Sequence, residues 1–576
     1  MNSQALSPRI SVPRLLTRHD LAALVLGLSI VVLLTSGIRQ MASPFALAHQ
    51  PEVSLSPAAL PAYALRTMMR MLAALLLSLL FTFTYATLAA KSRRAEMVLI
   101  PLLDVLQSVP VLGYLSFTVV FFVSLRPGSA IGPELAAIFA IFTSQAWNMA
   151  FSFYQALRTV PSDLDEASRS LRLSGWQRFW RLEAAFAMPG LVWNMMMSMS
   201  GGWFFVVASE AIAVGDIQIA LPGVGAYVAR AIQQRDLFAI GWAIIAMTIA
   251  ILLYDQVLFR PLVAWADKFR FEQSAAQVVP RSWALDLWRR ATRLQRAATP
   301  IGRGIQGALR ARLGFLDAAR RLHRWTPPRG VGDAAWGVLL GMGVVYVGWH
   351  LVRFVQPALG GADLVAAIGN GGLTLARVVV LTALATVVWV PVGVAVGLRP
   401  RLAEKVQPAA QFLAAFPANL LFPVAVSGIV RFELSPRIWL TPLMILGTQW
   451  YILFNVIAGA SAFPSDLRAA AASFRVRGWR WWRAVMLPGI FPYYVTGAIT
   501  ASGGAWNASI VSEAVSWGPT KLSASGLGAY IAQMTEAGDF PRIALGIAVM
   551  SVLVIAMNRL LWRPLYALAE KRTRLG

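Results

Sequence analysis

The chain has 576 residues, 57% hydrophobic and only 13% charged, with no cysteine and a net charge of +25; its mean hydropathy is +0.62. Soluble domains carry roughly 25% charged residues, so the composition excludes an ordinary soluble enzyme, a disordered chain and a disulfide scaffold. The missing cysteines exclude thiolate metal sites and thiol nucleophiles. A surplus of arginine can mark a nucleic-acid binder, but here the basic residues sit between apolar runs on alternate sides, as the positive-inside rule requires of a polytopic membrane protein. No nucleic-acid partner is expected.

The first apolar run, 21–38, follows Arg9, Arg14 and Arg18, and no small-residue cleavage site comes after it. It reads as a retained span with a cytoplasmic N-terminus, not a cleaved signal peptide. Further runs long enough to cross a bilayer lie near 65–90, 97–124, 134–157, 191–213 and 237–259, then near 336–354, 373–398, 407–430, 438–460, 490–515 and 541–562. The predicted fold is therefore an all-α membrane protein of twelve spans: a first six-helix unit over 1–260, a linker over 261–335 and a second six-helix unit over 336–576. Lys91, Arg93 and Arg94, then Arg169, Arg172, Arg178 and Arg181, then Arg399, Arg401 and Lys405, and finally Lys571, Arg572 and Arg574 put the intervening loops and both termini in the cytoplasm.

The linker is rich in arginine and poor in acid. Arg289, Arg290, Arg293, Arg296, Arg303, Arg310, Arg312, Arg320, Arg321 and Arg324 face only Asp286 and Asp317. Trp283 with Leu287, Leu285 with Trp288, and Leu309 with Leu313 and Leu316 recur at helical spacing. Basic amphipathic helices on the anionic cytoplasmic leaflet fit this pattern, as does a soluble linker held inside by its charge.

The two units are copies. A shift of 303 lays Pro161-Ser162-Asp163-Leu164 on Pro464-Ser465-Asp466-Leu467 and Gly175-Trp176 on Gly478-Trp479. It also pairs Trp203 with Trp506, Ser209-Glu210-Ala211 with Ser512-Glu513-Ala514, and Arg260-Pro261-Leu262 with Arg563-Pro564-Leu565. Upstream the shift becomes 307, pairing Thr67 with Thr374, Arg70 with Arg377 and Pro110 with Pro417. A parallel repeat of this kind implies a pseudo-two-fold along the membrane normal.

Each copy has a cytoplasmic loop between its fourth and fifth spans. Ser162 or Asp163, and Ser465 or Asp466, suit helix N-caps, and Leu164, Ala167, Leu171, Phe179, Leu182 and Phe186 form two short amphipathic stretches punctuated at Gly175. Such helices suit docking into a partner's groove, or resting on lipid; a duplicated pair suits a two-fold partner.

These loops resemble the EAA loop of membrane subunits of bacterial ABC importers, roughly E-A-A, three residues, G, nine residues, I-x-L-P. Glu166, Ala167 and Ser168 match its opening, and Val485, Leu487 and Pro488 its end. Arg172 and Arg475 occupy the motif's glycine position, Ala469 stands where Glu is expected, and Ala185 where Pro is expected. The T-x-x-R of Thr67 and Arg70, repeated as Thr374 and Arg377, and a Glu before G-[VL]-G-A-Y look like the nitrate/taurine/sulfonate/bicarbonate-type permeases, in the fused, duplicated anion-transport branch.

The resemblance implies a type I importer fold in the inner membrane, two ATPase subunits docked on the loops, a periplasmic binding protein delivering a small solute such as an anion, and surrounding membrane lipids. The coupling residues it implies are Asp163, Leu164, Glu166, Ala167, Leu171, Arg172 and Gly175, with Asp466, Leu467, Ala470, Arg475 and Gly478. The chain has no G-x-x-x-x-G-K-[ST] phosphate loop, so it is expected to bind no cofactor and to be no enzyme itself; ATP and Mg belong to the ATPase subunits.

Ionisable groups inside spans are expensive and default to functional candidates. Glu210 and Glu513 read either as a polar pair near the external gate or as structural hydrogen-bond acceptors. Arg70 and Arg377 either snorkel or draw an anion into the pathway. Ser198, Trp203, Trp506, Asn507 and Ser509 lie mid-span, lining the pathway or packing against neighbouring helices. His19, His49, His323 and His350 are scattered, and no metal site is expected. The alternative in another class is an ion- or proton-coupled carrier with two six-helix repeats; a membrane scaffold without transport is a third reading. A carrier has no need of matched helical loops between spans four and five.

Overall fold

The computed structural model describes residues 18–41, 52–125, 127–215, 217–269, 282–311, 329–356 and 360–573. Arg9, Arg14, His49, Arg312, Leu313, Leu316, Asp317, Arg320, Arg321, His323, Arg324 and Arg574 lie outside them.

The first half runs α1 (Arg18–Met41), α2 (Leu60–Lys91), α3 (Arg93–Leu106), α4 (Val111–Leu125), α5 (Ile131–Arg158), α6 (Ser162–Ser170), α7 (Gly175–Arg178) and α8 (Ala184–Ser209). The hairpin β1 (Ala211–Val214) and β2 (Ile217–Ala220) follows, then α9 (Val224–Gln234), α10 (Leu237–Tyr254) and α11 (Arg260–Ala266). The linker holds α12 (Trp283–Arg290) and α13 (Thr292–Arg310). The second half runs α14 (Arg329–Val355), α15 (Gly361–Gly397), α16 (Pro400–Ala415), α17 (Phe422–Arg431), α18 (Pro436–Trp439), α19 (Trp450–Ser461), α20 (Ser465–Ser473), α21 (Gly478–Trp481) and α22 (Leu487–Ser512). It ends with β3 (Ala514–Trp517), β4 (Thr520–Ser523), α23 (Leu527–Ala537), α24 (Phe540–Met557) and α25 (Arg563–Thr573).

From α6 to α10 each element has a counterpart whose bounds are displaced by the same 303 positions, down to the π-helical turns Phe179–Glu183 and Trp482–Met486. A second pair of π-helical turns, Asp255–Phe259 and Asn558–Trp562, follows α10 and α24. Identical placement of so rare a helical register in both copies makes the duplication a property of the fold.

Among the described residues eight helices are long and apolar enough to cross a bilayer, or up to ten if each bent pair is one span; about twelve spans were expected. The third span of each half is a bent pair: α3 meets α4 at 103°, and α16 meets Ala418–Arg431, which contains α17, at 72°. The breaks fall before Val111 and after Phe416, beside Pro110 and Pro417. Proline removes a backbone donor and disfavours helical geometry in the residue before it. The expected span at 438–460 is interrupted too: Pro442 lies in a 3-10 turn, Thr441–Met444, before the 12-residue apolar α19.

The contacts divide the chain into two compact units: residues 1–39, 156–193 and 252–326 form one, and 40–155, 194–251 and 327–576 the other. The larger unit has a continuous apolar core to which both halves contribute, Val111, Leu115, Ala137 and Leu221 from the first with Ile452, Val495, Trp506 and Leu527 from the second. In the smaller unit, α13 begins on the buried Asp20 of α1, whose Oδ1 accepts from the N–H groups of Arg293 (3.1 Å) and Leu294 (3.3 Å). A carboxylate there meets both the orphan donors and the positive dipole end of the helix.

Candidate functional site

Two duplicated constructions carry the polar chemistry. The first is a carboxylate latch in the larger unit. α2 brings Thr67 and Arg70, one turn apart, against Glu210 at the end of α8. Arg70 donates to Glu210 Oε1 at 2.6 Å, and Thr67 Oγ1 donates to the same oxygen at 2.6 Å. Arg70 also grips Glu134 of α5 bidentately, at 2.6 and 2.7 Å, and donates to the Pro222 carbonyl at 3.1 Å. Glu210 Oε2 accepts the Gly225 N–H at 2.7 Å, and Thr67 Oγ1 accepts the Val224 N–H at 3.1 Å. The carboxylate and the hydroxyl thus satisfy the free donors at the start of α9. Arg70 and Glu210 are fully buried.

The second copy repeats this. Thr374 donates to Glu513 at 2.9 Å, Arg377 donates at 2.9 Å, and the N–H groups of Leu527 and Gly528 are accepted by Thr374 and Glu513, both at 2.8 Å. Gly223 and Gly526 face the two carboxylates so closely that a Cβ on either would overlap the carboxyl group; glycine is required by space, not conformation. The copies differ in that Arg377 keeps 16% exposure and has Glu513 as its one carboxylate partner among the described residues. Glu134 is the participant that sequence reasoning missed. An acid within the apolar run 134–157 was the available signal.

Past each latch the hairpin turn reaches the opposite copy. The Gly215 N–H donates to the Thr535 carbonyl and the Gly518 N–H to the Ile232 carbonyl, both at 3.0 Å. The pair is reciprocal: each residue's equivalent contacts its partner's equivalent, the mark of an isologous contact. The corners of the bent third spans are tied likewise to the fifth helix of the other half, Val111 N–H to Asn507 Oδ1 at 2.8 Å and Asn419 Nδ2 to the Phe204 carbonyl at 3.1 Å. Asn507 therefore pins a helix break. Ser198, Trp203, Trp506 and Ser509 are buried within the packed helices α8 and α22.

The second construction is the pair of loops. α6 and α20 each end in a Schellman motif: Leu173 N–H reaches the Ser168 carbonyl at 3.2 Å, and Val476 N–H the Ala471 carbonyl at 2.9 Å. The left-handed residue that the motif requires is Arg172, φ 48°, in one loop and Arg475, φ 51°, in the other. These occupy the glycine position of the importer motif, and the backbone there keeps the conformation glycine favours. The break in the first loop therefore falls at Arg172, and Gly175 opens α7; in the second, Gly478 is also left-handed, φ 59°. The expected N-caps are corrected as well. Pro161 and Pro464 hold those positions without a side-chain cap, and Ser162 and Ser465 are the first helical residues.

The residue before each left-handed arginine is apolar and projects outward, Leu171 at 71% and Phe474 at 81% exposure. Asp163, Glu166, Ala167, Asp466, Leu467 and Ala470 are exposed around these tips, and Leu164 is half-buried.

A family profile described as the binding-protein-dependent transport system inner membrane component matches residues 82–260 and 389–574. The chain belongs to this family. Among curated relatives, the bicarbonate transport system permease protein CmpB of Synechococcus elongatus is 24% identical over 182 residues, 32% of this chain and 59% of the relative. The glycine betaine/proline betaine transport system permease protein ProW of Escherichia coli is 30% identical over 163 residues, 28% and 44%. The nitrate import permease protein NrtB of Leptolyngbya laminosa is 23% identical over 187 residues, 32% and 63%. The chain thus spans less than two thirds of the length of each of these relatives.

Within this inner-membrane family member the two loops are not equally held. In the first, Ser174 and Gln177 form a capping box at the start of α7, and Arg178 pairs with Asp165 at 2.5 Å and Glu183 at 3.1 Å. Trp176 Nε1 then donates to the Ala308 carbonyl at 3.0 Å, and Gln177 Nε2 to the Arg310 carbonyl at 2.7 Å, closing the C-terminal end of α13. At the equivalent places the second loop carries Arg477, Arg480, Trp481, Arg468 and Met486. Neither the box nor the ion pairs can form there, and Trp479 is 72% exposed. One loop is braced by the linker through Trp176 and Gln177; in the other, Arg480 stands where Gln177 does.

Proposed function

We propose that this chain is the permease subunit of an ATP-driven importer, built as two six-helix units, 1–260 and 336–576, with a cytoplasmic linker over 261–335 and both termini in the cytoplasm. It moves a small solute, and an anion of the bicarbonate, nitrate or sulfonate kind fits best. The observation that carries this is the pair of exposed apolar tips, Leu171 and Phe474, at equivalent turns of duplicated loops. An exposed apolar residue beside a charged rim is the form of a docking surface. Two ATPase subunits, which hold ATP and Mg, engage Asp163, Leu164, Glu166, Ala167, Leu171, Arg172 and Gly175 on one side and Asp466, Leu467, Ala470, Arg475 and Gly478 on the other. A periplasmic binding protein delivers the solute from outside.

Nucleotide-driven movement of the loops passes into α8 and α22, which follow them directly, and alternately opens the pathway between the bundles. The Ser198 and Ser512 hydroxyls and the Trp506 indole N–H are buried with no hydrogen-bond partner among the described residues, which makes them the polar groups that α8 and α22 offer a passing solute; Trp203 and Ser509 are buried on the same two helices. Arg70, Glu210, Arg377 and Glu513 position the outer ends of these helices, since their hydrogen bonds are turned to protein groups.

The test is uptake of labelled bicarbonate, nitrate and taurine into proteoliposomes holding the chain, its ATPase subunits and its binding protein. ATP-dependent uptake that survives collapse of the proton gradient is the expected result. Uptake without ATP that is abolished by an uncoupler would replace this reading with the proton-coupled carrier.

A further inference from the structure

The linker helices α12 and α13, with the end of the helix that carries α11, line an open, shallow pocket of about 470 Å³, formed by Trp265, Lys268, Leu285, Trp288, Arg289, Gln295, Ala298 and Thr299. We propose that it binds the headgroup of an anionic phospholipid of the cytoplasmic leaflet.

Three observations support this. The first is depth. The helix that begins at Leu237 continues through the π-helical turn Asp255–Phe259 and α11 to Phe269. At ~1.5 Å per residue Trp265 lies ~42 Å along it, past the ~30 Å that a hydrocarbon core takes up and so on its polar side. The second is charge. Between residues 282 and 310 six arginines, Arg289, Arg290, Arg293, Arg296, Arg303 and Arg310, face a single acid, Asp286. Neither Lys268 nor Arg289 has a carboxylate partner among the described residues. Lys268 Nζ sits 4.6 Å from the Trp265 ring centre and 4.7 Å from that of Phe269, a cation held at the pocket by aromatic faces. The third is amphipathy. Trp265, Trp283 and Trp288 are 36, 49 and 42% exposed, and tryptophan collects at the membrane–water interface because its ring is apolar and its N–H polar. A phosphate between Lys268 and Arg289, with its glycerol and first acyl carbons against the two lining indoles, satisfies both kinds of group.

The pocket is built on α13, whose far end is held by Trp176 and Gln177 of the first loop. A lipid seated there steadies the helix that braces that loop. This consequence rests on the loop's proposed role, whereas lipid binding itself does not.

The experiment is native mass spectrometry of the full chain, released from detergent with equal amounts of phosphatidylglycerol and phosphatidylcholine of matched acyl chains. Wild type should retain phosphatidylglycerol preferentially. Each basic residue at an anionic surface contributes ~1 kcal/mol, about fivefold, so Lys268→Gln with Arg289→Gln should reduce the preference about 25-fold, while Arg296→Gln with Arg310→Gln, outside the pocket lining, should leave most of it. A Lys268/Arg289 variant that keeps the preference, or an Arg296/Arg310 variant that loses it equally, would overturn the site in favour of diffuse charge. Displacement of the lipid by millimolar inorganic phosphate would reassign the pocket to a free anion. No lipid preference, with ATPase binding lost in the Lys268/Arg289 variant, would reassign it to an acidic protein surface.

Discussion

Arg70 is a fully buried guanidinium with five donors, and the structure fills four of them with two carboxylates and a carbonyl. Removing it strands Glu134 and Glu210 in a low-dielectric interior, where breaking a buried ion pair costs roughly 3–5 kcal/mol. Arg70→Ala should therefore lower the thermal midpoint of the detergent-solubilised chain markedly, and Arg377→Ala, which has one carboxylate partner and partial exposure, distinctly less. Equal losses would remove the structural distinction between the two latches. At the loop turns the strained residue is a left-handed arginine. Glycine adopts that conformation at no steric cost while the L-residue penalty is about 1–2 kcal/mol. Arg172→Gly should leave stability equal or slightly higher, whereas Gly478→Ala, which puts a side chain at φ 59°, should cost about 1 kcal/mol, both read from thermal unfolding. The residue types at these places were legible in the sequence, as repeated Thr, Arg and Glu. Their pairing was not, because nothing local indicates that Glu134 lies 64 positions beyond Arg70 and yet against it.

At the level of elements, apolar runs located the helices, since crossing a bilayer demands about 20 apolar residues. They did not reveal where a helix breaks. The run at 97–124 is mostly apolar on both sides of Pro110, with Asp104 and Gln107 within it, so hydropathy carries a span across a 103° bend; the proline was the local signal. The N-caps were misplaced for a similar reason. Ser162 and Asp163 have capping side chains, but Pro161, with its fixed φ, already ends the extended backbone one residue earlier. The linker's hold on the first loop was beyond sequence reasoning altogether, because it rests on backbone carbonyls of Ala308 and Arg310. It predicts that Gln177→Ala together with Trp176→Phe will speed amide hydrogen exchange in Thr292–Arg310 without changing exchange in Ser465–Ser473. Unchanged exchange in α13 would mean that the brace contributes nothing.

Across the whole chain, one polypeptide contains two versions of the same unit, and the differences between them carry information. The latches and hairpins agree in position and bonding, and the reciprocal bonds of Gly215 and Gly518 tie the copies together at equivalent places. The loops agree in backbone and differ in support. Duplication was legible from residues repeating at a fixed shift, but the inequality of the loops became physical only with the ion pairs of Asp165, Arg178 and Glu183 and the linker contacts beside them. Selection on a fused chain acts on each copy separately, so the two loops can diverge in their support while keeping the same backbone.

The most direct test of this account is the mass of the complex formed by the full chain and its ATPase subunits in nanodiscs. Wild type should carry two ATPase subunits per chain, Leu171→Asp one, Phe474→Asp one, and the double variant none. A wild-type chain that carries no ATPase subunit, or a double variant that still carries two, would contradict the claim that these duplicated tips couple the permease to its motor.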